Sequence, residues 1–406
     1  MIKRITISLG VALVLAACGG EGGDAPAPKT ASNTPPSTTT TATTPPATTS
    51  TGSTEATPPP AKPSMIELQK KAGANMAAAW NAHDSKKCAE NYASDGVISE
   101  LGPTGWMDHK GKDEIEKNFA TIFAGYPDSK MGVSRVFAAK NIAVVQWVMT
   151  GTNTGEMMGM KATGKPVGFN GASVLWFNDD GLIAKEHVYL DAGTIMGQEG
   201  VSKQKVRPVA TLPSGEPEWI TPKGDGSDDK SVTAFNAQLD ALNKHDAKAF
   251  GATVTDDTVH IDYTAAEDVK GKAAGEKEMA GYFKAFPDLK ANADNVWGFG
   301  DFVIDETTIT GTQTGALGPI KPTKKPITSH MVEVNVIKDG KVAKCETYWS
   351  SVELMGQLGL LPKPKEEKGT KTPAAKTTAT PATTGTPAPK TTTTPATTGS
   401  PAPKTP

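Results

Sequence analysis

Apolar residues recur along the chain with two different periods, and each period predicts a type of element. Helical spacing places one amphipathic helix across residues 68–80 and an equivalent one across residues 232–242. Alternating apolar residues predict strands at residues 142–150, 167–177 and 183–191. The predicted order within each half is helix, helix, strand, helix, four strands and a short helix. This order predicts an α+β fold, with about three helices packed on a curved, mostly antiparallel sheet.

The middle of the chain is an internal repeat. Gly111 and Gly271 lie 160 positions apart, and Tyr126-Pro-Asp128 recurs as Phe286-Pro-Asp288 at the same offset. Each copy has about 130 residues, the size of one domain with its own core. The predicted organisation is a domain at residues 64–202, a linker at residues 203–228 and a second domain at residues 229–362.

The two ends of the chain have the composition of disordered arms. Residues 19–63 and 363–406 are rich in Thr, Pro and Ala and contain hardly any large apolar side chains. Such segments cannot bury enough apolar area to offset the entropy that ordering would cost. We therefore predict a disordered stalk before the first domain and a disordered tail after the second.

Residues 1–18 are predicted to form an export signal. A short basic start precedes an apolar run of roughly 13 residues, too short for the ~20 that a membrane-spanning helix needs. The run ends in Leu15-Ala-Ala-Cys18, which resembles a bacterial lipobox. Cys18 is thus the predicted lipidation site, anchoring the protein in the membrane of the cell envelope. Gly19 stands where an inner-membrane-retention aspartate would stand, so a cell with two membranes would place the protein in the outer one.

Composition argues against several classes of function. The net charge of -2, with both signs mixed, does not favour a nucleic-acid partner. Cys88 and Cys345 occupy non-equivalent positions in the two copies, so two buried free thiols are predicted rather than a disulfide. No His, Cys and carboxylate residues stand at metal-ligand spacing, and no phosphate loop or dinucleotide fingerprint occurs. The sequence therefore predicts no metal and no cofactor.

The ordered motifs of the repeat resemble the SnoaL-like (polyketide cyclase or ester cyclase) branch of the NTF2-like superfamily. In the first copy these motifs are Gly111-Lys-Asp-Glu-Ile115, Tyr126-Pro-Asp128, Thr150-Gly-Thr-Asn-Thr-Gly155, Gly164-Lys-Pro166, Gly181-Leu-Ile183 and Tyr189-Leu-Asp191. The resemblance implies two cone-shaped domains, each a sheet wrapped around an apolar pocket that helices close. It also implies that an Asp near the end of the last long strand, the position of Asp191, acts as general acid/base in the cyclases of the family.

The last long strand carries the candidate catalytic residues. Alternation puts His187, Tyr189 and Asp191 on one side and Glu186 on the other. If the first side faces the cone, Asp191 is the acid/base, and His187 or Tyr189 stabilises an enolate oxygen. The alternative is that Asp191 caps the short helix that follows it. Ser350 aligns with Asp191 in the second copy; serine keeps the capping role and loses the acid/base role, so the second site is predicted to be degenerate.

Four further residues are candidate ligand contacts. Trp147 and Phe169 are expected in the wall of the first cone, and Glu346 and Tyr348 in the wall of the second. Aromatic strand residues are also ordinary core residues, and a carboxylate without a named partner is commonly solvated or paired. Both interpretations of these positions stay open at this point.

Two functions from different classes remain open. In the first, the protein is a binding or scaffolding module whose cones pack by their sheets, within the chain or in a homodimer, and hold a small apolar ligand or a partner. In the second, the first domain is an acid/base cyclase or isomerase acting through Asp191. The predicted lipid anchor favours the first, because substrates of such cyclases are usually intracellular. A filled cone would support the module, and an open cone ending at Asp191 would support the enzyme.

Overall fold

The structure of the protein, a computed structural model, describes residues 62–157 and 161–361. The predicted signal segment with Cys18, nearly all of the predicted stalk and the predicted tail lie outside these residues. Across the described part of the chain, no helix combines the length and the apolar character needed to cross a membrane.

The described residues of the first domain form four helices and six strands. They are α1 (Met65–Asn81), α2 (Ser85–Glu90), β1 (Tyr92–Gly102), β2 (Gly105–Lys110), α3 (Gly111–Gly125), β3 (Lys130–Ala139), β4 (Ile142–Thr152), β5 (Pro166–Phe177), β6 (Ile183–Leu190) and α4 (Ala192–Gln198). A linker strand, β7 (Glu218–Ile220), extends the sheet by pairing in parallel with β3. The sheet order is β2-β1-β6-β5-β4-β3-β7, and β1 and β6 are also parallel. The remaining pairs are antiparallel.

The second domain repeats this arrangement. It comprises α5 (Ser227–Asn243), α6 (Ala247–Ala252), β8 (Val254–Asp262), β9 (Val269–Lys270), α7 (Lys272–Ala285), β10 (Lys290–Phe299), β11 (Phe302–Thr312), β12 (Pro326–Lys338), β13 (Lys341–Trp349) and α8 (Ser351–Gln357). Its sheet order is β10-β11-β12-β13-β8-β9. The predicted α+β class with mostly antiparallel sheets is confirmed.

The sequence missed one short strand in each copy, β2 and β9. Each pairs antiparallel with the strand before it, β2 with β1 and β9 with β8. The strand β9 has two residues, too few for an alternating pattern to be recognised. Each copy therefore has one more strand than the sequence predicts. This strand lies before the third helix, at the edge of the sheet.

Local sequence signals set the ends of the helices. The Ser64 hydroxyl accepts the N–H of Glu67, and the Glu67 carboxylate accepts the N–H of Ser64 over 2.7 Å, so a capping box begins α1. Helix α3 begins with Asp113 and Glu114, whose charges suit the positive end of the helix dipole. It ends just before Tyr126, because the following proline disfavours helical backbone at that residue.

The first domain buries one large core between its helices and its sheet. Large aromatic side chains dominate this core: Trp80, Tyr92, Phe119, Phe123, Tyr126, Trp147 and Phe169. Trp80 packs edge-to-face on Phe119 and Phe123, with ring centroids 5.9 and 5.3 Å apart. Such pairs contribute about 0.5–1.5 kcal/mol each beyond the area they bury.

The outer faces of the two sheets pack against each other. The buried side chains of this interdomain cluster come from both domains: Leu101, Phe137, Ile142, Val144, Ala172, Val174, Tyr189, Phe299, Ile304, Val332, Val334 and Tyr348. Phe137 contacts Phe299 and Phe302, with ring centroids 5.5 and 5.3 Å apart. The two domains therefore share a core that neither repeat could bury by itself.

Both cysteines of the described residues are free thiols. Cys88 is buried in the first domain, whereas Cys345 is only half-buried in the second. The prediction of free thiols is confirmed, but the expected burial of Cys345 is not complete. Polar and partly exposed side chains surround Cys345 inside the second domain, so its thiol is not sealed in an apolar core.

Candidate functional site

Strand β6 presents opposite faces to the first cone and to the second domain. Val188 belongs to the core inside the first cone, whereas its neighbour Tyr189 belongs to the interdomain cluster. His187, Tyr189 and Asp191 therefore lie on the side that faces away from the cone. The condition under which this side would line the pocket is therefore not met, because strand alternation decides which residues share a face but not what covers that face.

His187 and Tyr189 contact one carboxylate of the second domain, that of Glu306. Nδ1 of His187 lies 2.8 Å from Glu306 Oε1, and the Tyr189 hydroxyl donates to the same oxygen over 2.7 Å. Asn295 donates to the other oxygen, Oε2, over 2.8 Å. Glu306 is 3 % exposed, and burying a charge is costly unless it is hydrogen-bonded. These three partners make the buried carboxylate tolerable.

The equivalent residues of the second domain, Glu346 and Tyr348, face the first domain in the same manner. Gln146 donates to the Tyr348 hydroxyl over 2.7 Å, and Arg135 forms an ion pair with Glu346. Burial opposes ionisation of Glu346, but the basic side chains beside it outweigh burial and lower its pKa. Glu346 and Tyr348 thus join the two sheets instead of lining the second cone, which corrects their expected placement.

Asp191 caps two helices at once. Its carboxylate accepts the N–H groups of Gly193 and Thr194, at the start of α4, over 3.1 and 2.8 Å. The backbone N–H and the hydroxyl of Ser351, at the start of α8, donate to it over 3.0 and 2.6 Å. Burial raises the pKa of Asp191, and the hydrogen bonds from Ser351 and Thr194 oppose this rise. The capping role expected for Asp191 is confirmed, and it extends across the domain boundary.

The space beside Asp191 is small. A cavity of about 10 Å³ lies there, lined by Arg207 and Tyr263 among others, and this volume holds about one water molecule. An enzyme that used Asp191 as its acid/base would require an open cone ending at this residue. Among the residues that the structure describes, no such open space lies beside Asp191. The acid/base role itself stays a prediction.

Ser350 stands at the position of Asp191 in the second copy. Its hydroxyl accepts the N–H of Glu353 over 3.4 Å and so caps α8. Because Asp191 already contacts Ser351, an aspartate at position 350 would bring two buried carboxylates together, and such a pair cannot easily be ionised. Serine at position 350 can still cap α8, and it avoids the repulsion between two neighbouring carboxylates.

The first cone is filled by aromatic side chains. Trp147 and Phe169 lie inside it, edge-to-face, with ring centroids 6.2 Å apart. They are 7 % and 5 % exposed, and Trp147 Nε1 donates to the Ser173 hydroxyl over 3.1 Å. Both residues therefore lie where the sequence placed them, although they pack on other core residues. A ligand contact for them stays a prediction.

One carboxylate is buried inside this first cone. Glu186, on β6, accepts a hydrogen bond from the hydroxyl of Tyr92, and both residues are buried. Burial raises the pKa of Glu186, and the hydrogen bonds from Tyr92 and Ser173 oppose the rise. Sequence reasoning placed Glu186 on the opposite face of the strand but did not consider it as a candidate site residue, because it examined only the case in which the other face lines the cone.

The second cone lacks this aromatic filling. Strand register places Thr307 at the position of Trp147, Ser329 at that of Phe169, Thr347 at that of Val188 and His260 at that of Ile98. On α7, Gly275 stands where α3 has the fully buried Ile115. A Cβ atom at Gly275 would meet no atom within 4 Å. The apolar core of this domain is correspondingly divided into two clusters.

Polar side chains from three strands and one helix meet inside the second cone. His260 Nε2 lies 3.0 Å from the Thr347 hydroxyl, and His260 Nδ1 lies 3.3 Å from a Glu278 oxygen. The Thr347 hydroxyl donates to Glu333 over 2.7 Å, and Cys345 Sγ lies 3.4 Å from the same hydroxyl. The side chains of His260 and Glu278 are 26 % and 19 % exposed, so solvent reaches the cluster.

A buried carboxylate, Asp305, lies beside this cluster. It accepts hydrogen bonds from Thr307 and Asn335 over 2.6 and 3.0 Å. Burial, together with the nearby charge of Glu333, raises the pKa of Asp305 well above its ordinary value. Within the described residues, Oδ1 of the fully buried Asn335 has no hydrogen-bond partner. An acceptor left unpaired in this way costs about 1–3 kcal/mol.

The carboxylates of the second cone control the charge of His260. Burial lowers the pKa of His260, but Glu278, Asp262 and Glu333 outweigh burial and raise it to about 9. With no other cation bound beside it, the imidazole is therefore a cation at neutral pH. This cluster, and not the neighbourhood of Asp191, is the candidate functional site.

A sequence signal for this site lies in the differences between the two copies. Positions 98, 147, 169 and 188 of the first copy are apolar, and their equivalents in the second copy are polar. Comparing the copies at cone-facing positions identifies the second cone as the unusual one. That comparison needs the strand register, which the structure provides.

Comparison with known proteins fits this fold. The SnoaL-like polyketide cyclase family model matches residues 71–199 and, a second time, residues 233–358. The chain belongs to this family. Its two SnoaL-like domains are the two repeats, as the resemblance predicted. A comparison with curated proteins found no match.

Solved structures similar to this SnoaL-like chain each align with about one third of it. AclR from Streptomyces galilaeus is 28% identical, over 34% of this chain and 91% of its own, with a TM-score of 0.31. IdmH from Streptomyces antibioticus is 22% identical, over 32% and 98%, with a TM-score of 0.29. A SnoaL-like protein from Jannaschia sp. CCS1 is 20% identical, over 33% and 95%, with a TM-score of 0.31.

The double cap can be tested with Asp191→Asn. We expect a loss of about 1–3 kcal/mol in the free energy of unfolding, because one amide oxygen cannot accept all the hydrogen bonds that the carboxylate accepts. Urea unfolding of the full chain measures the loss. Asp84→Asn is the matched control: Asp84 caps α2 by accepting the N–H of Lys87, and Asn caps as well as Asp. Equal, small effects of both variants would contradict the double cap.

The charge of His260 predicts a pH dependence of stability. The pKa of His260 is about 9 in the folded protein and 6.5 as an ordinary value, so protonation favours folding. We expect this stabilisation to be complete below about pH 6.5 and to be lost as the pH rises through about 9, by on the order of 3 kcal/mol. Urea unfolding in metal-free buffer measures it. A decline of the same size in His260→Gln would show that another group is responsible.

Proposed function

We propose that the protein is a lipid-anchored cell-envelope protein whose second SnoaL-like domain binds a small molecule with an apolar body and a cationic amine. The observation that carries this proposal is the interior of the second cone, which lacks the aromatic filling of the first cone and carries carboxylates. The first domain, in this proposal, is a structural partner. The protein binds its ligand without changing it chemically.

The shape of the two cones supports this division of roles. In the first cone Trp147, Phe169 and Ile115 occupy the interior. In the second, the equivalents of these residues are Thr307, Ser329 and Gly275, whose side chains are far smaller. Small-molecule sites in proteins are concave and carry a few polar groups on largely apolar walls. In the second domain, Tyr282 and Trp349 supply apolar surface next to the polar cluster.

Charge supports an amine as the polar part of the ligand. Among the described residues of the second cone, the carboxylates of Glu278, Asp262 and Glu333 surround the imidazole of His260. Such a cluster attracts a cation more strongly in a partly desolvated cone than it would in water. A ligand ammonium would offset the repulsion among these carboxylates and contribute hydrogen-bond donors.

The packing of the two sheets supports a structural role for the first domain. Glu306 and Ile304 of the second domain are buried against the first. A cone that gives up its own aromatic core loses several kcal/mol of burial energy. The interdomain cluster supplies apolar burial that compensates for this loss.

The lipid anchor rests on the sequence. Leu15-Ala-Ala-Cys18 resembles a lipobox, and the Thr- and Pro-rich segment that follows would hold the two domains away from the membrane surface. A tethered binding protein of this kind retains its ligand at the cell envelope.

Ligand binding can be tested with benzylamine as the probe and benzyl alcohol as its neutral counterpart. We expect benzylamine to raise the melting temperature of the chelator-treated full chain, with a stabilisation that grows as RT ln(1 + [L]/Kd). In Gly275→Leu, the leucine side chain would fill the second cone as Ile115 fills the first. We expect this variant to abolish the benzylamine effect, because the side chain occupies the binding space. We also expect it to stabilise α7 by about 1 kcal/mol, because Leu is a better helix former than Gly.

Gly281→Leu is the matched control for that experiment. Gly281 lies on the same helix, and a Cβ atom there also meets nothing within 4 Å, but the residue does not share the face of Gly275. We expect the same gain in stability with binding retained. An equal effect of benzyl alcohol would reject the amine, and undiminished binding by Gly275→Leu would reject the second cone as the site.

The proposed lipid anchor predicts that loss of Cys18 changes the cell fraction in which the protein is found. We expect Cys18→Ser to move the protein from the membrane fraction to the soluble fraction, because lipidation of Cys18 provides the attachment. Immunoblots of separated fractions measure this, and Cys88→Ser, a thiol within the first domain, should stay with the membranes. Retention of Cys18→Ser in the membrane fraction would disprove the anchor.

A further inference from the structure

We propose that the second cone also holds a zinc-type divalent metal ion, bound by His260, Glu333 and Cys345. These residues come from β8, β12 and β13, and their potential ligand atoms lie within 4.8 Å of one another. The inference goes beyond the proposed function, because the ion needs no organic ligand. Thiolate, imidazole and carboxylate are the ligands that Zn²⁺ prefers in proteins.

The ligand atoms surround one point. The hydroxyl oxygen of Thr347 lies 3.0 Å from His260 Nε2, 3.4 Å from Cys345 Sγ and 2.7 Å from a Glu333 oxygen. Zinc binds nitrogen and oxygen at about 2.0–2.2 Å and sulfur at about 2.3 Å. A rotation of the Thr347 side chain and shifts of about 1 Å by the three ligands would therefore place an ion at this point.

The partner of the other imidazole nitrogen matches a metal-bound histidine. Glu278 approaches Nδ1 of His260 at 3.3 Å, which leaves Nε2 directed towards Thr347 and the other two ligands. A histidine that binds a metal almost always donates its second N–H to a carboxylate or carbonyl, which orients the ring and makes it a better ligand. Glu278 supplies that carboxylate from a different element, α7.

A buried acceptor without a partner is an independent sign that something is bound here. Asn335 lies directly opposite Cys345 across the β12–β13 pair. Its amide donates to Asp305, while its Oδ1 is without a partner among the described residues. A metal-bound water in the cone would donate to this oxygen. Three protein ligands leave a position open for such a water, as in catalytic zinc sites.

The test uses Co²⁺ and Zn²⁺ on the chelator-treated full chain. We expect one ion per chain, with the intense near-ultraviolet absorption of a cobalt–thiolate bond and with displacement of Co²⁺ by Zn²⁺. Cys345→Ala should abolish the absorption and weaken Zn²⁺ binding more than about 100-fold, since even loss of a residue that supports a ligand costs 10–100-fold. Glu278→Gln should weaken binding by that smaller amount.

Cys88→Ala is the matched control, because Cys88 is the other free thiol of the described residues. It should leave the absorption and the affinity unchanged. Absence of the cobalt–thiolate absorption in the parent chain, or its persistence in Cys345→Ala, would overturn the metal site. Benzylamine binding is measured in the presence of chelator. A failure of the amine-binding proposal can therefore be distinguished from a failure of the metal-site proposal.

Discussion

Each sheet of this protein has an apolar outer face that would be exposed in a single domain, and the mutual burial of these two faces is the constraint on which the rest depends. Phe137, Phe299 and Ile304 are fully or almost fully buried there, and a buried side chain of this size contributes about 1.5–3 kcal/mol. Because the faces must meet, the alternate residues of β6 and β13 become contact residues. His187, Tyr189 and Tyr348 are therefore committed to the interface, whatever a SnoaL-like relative does with the same positions.

The duplication explains why equivalent positions hold different residues. The packing of the two copies brings position 191 close to position 350, because Asp191 accepts hydrogen bonds from Ser351. One aspartate and one serine are therefore compatible where two aspartates would repel. The same reasoning applies to Glu306 and Gln146: one carboxylate accepts from Tyr189, and one amide donates to Tyr348. Divergence of this kind follows from packing and does not by itself indicate loss of a function in either copy.

The interface also allows the second cone to depart from an apolar interior. Carboxylates, an imidazole and a thiol inside a domain of this size would be destabilising if that domain had to fold by its own core. Here the interdomain cluster provides part of the burial, and Gly275 and Thr307 leave room where the first cone has Ile115 and Trp147. Proteins commonly accept such local losses of stability at functional sites. That asymmetry, one filled cone and one polar cone, is the basis of the proposed division between a structural and a binding domain.

The sequence by itself determined the helices, the long strands, the repeat and the family, because hydrophobic period and ordered turn motifs are local properties of the chain. It also offered helix capping as one of two roles for Asp191, since a cap depends on the residues that follow it. The tertiary structure alone decided which face of β6 meets the cone, because alternation is symmetric until a second surface covers one side. It alone joined His260, Glu333 and Cys345, which lie far apart in sequence and meet because β8, β12 and β13 are neighbours in one sheet. Spacing along a chain cannot reveal a site built across strands, and this is why the sequence pointed to the first cone and the structure points to the second.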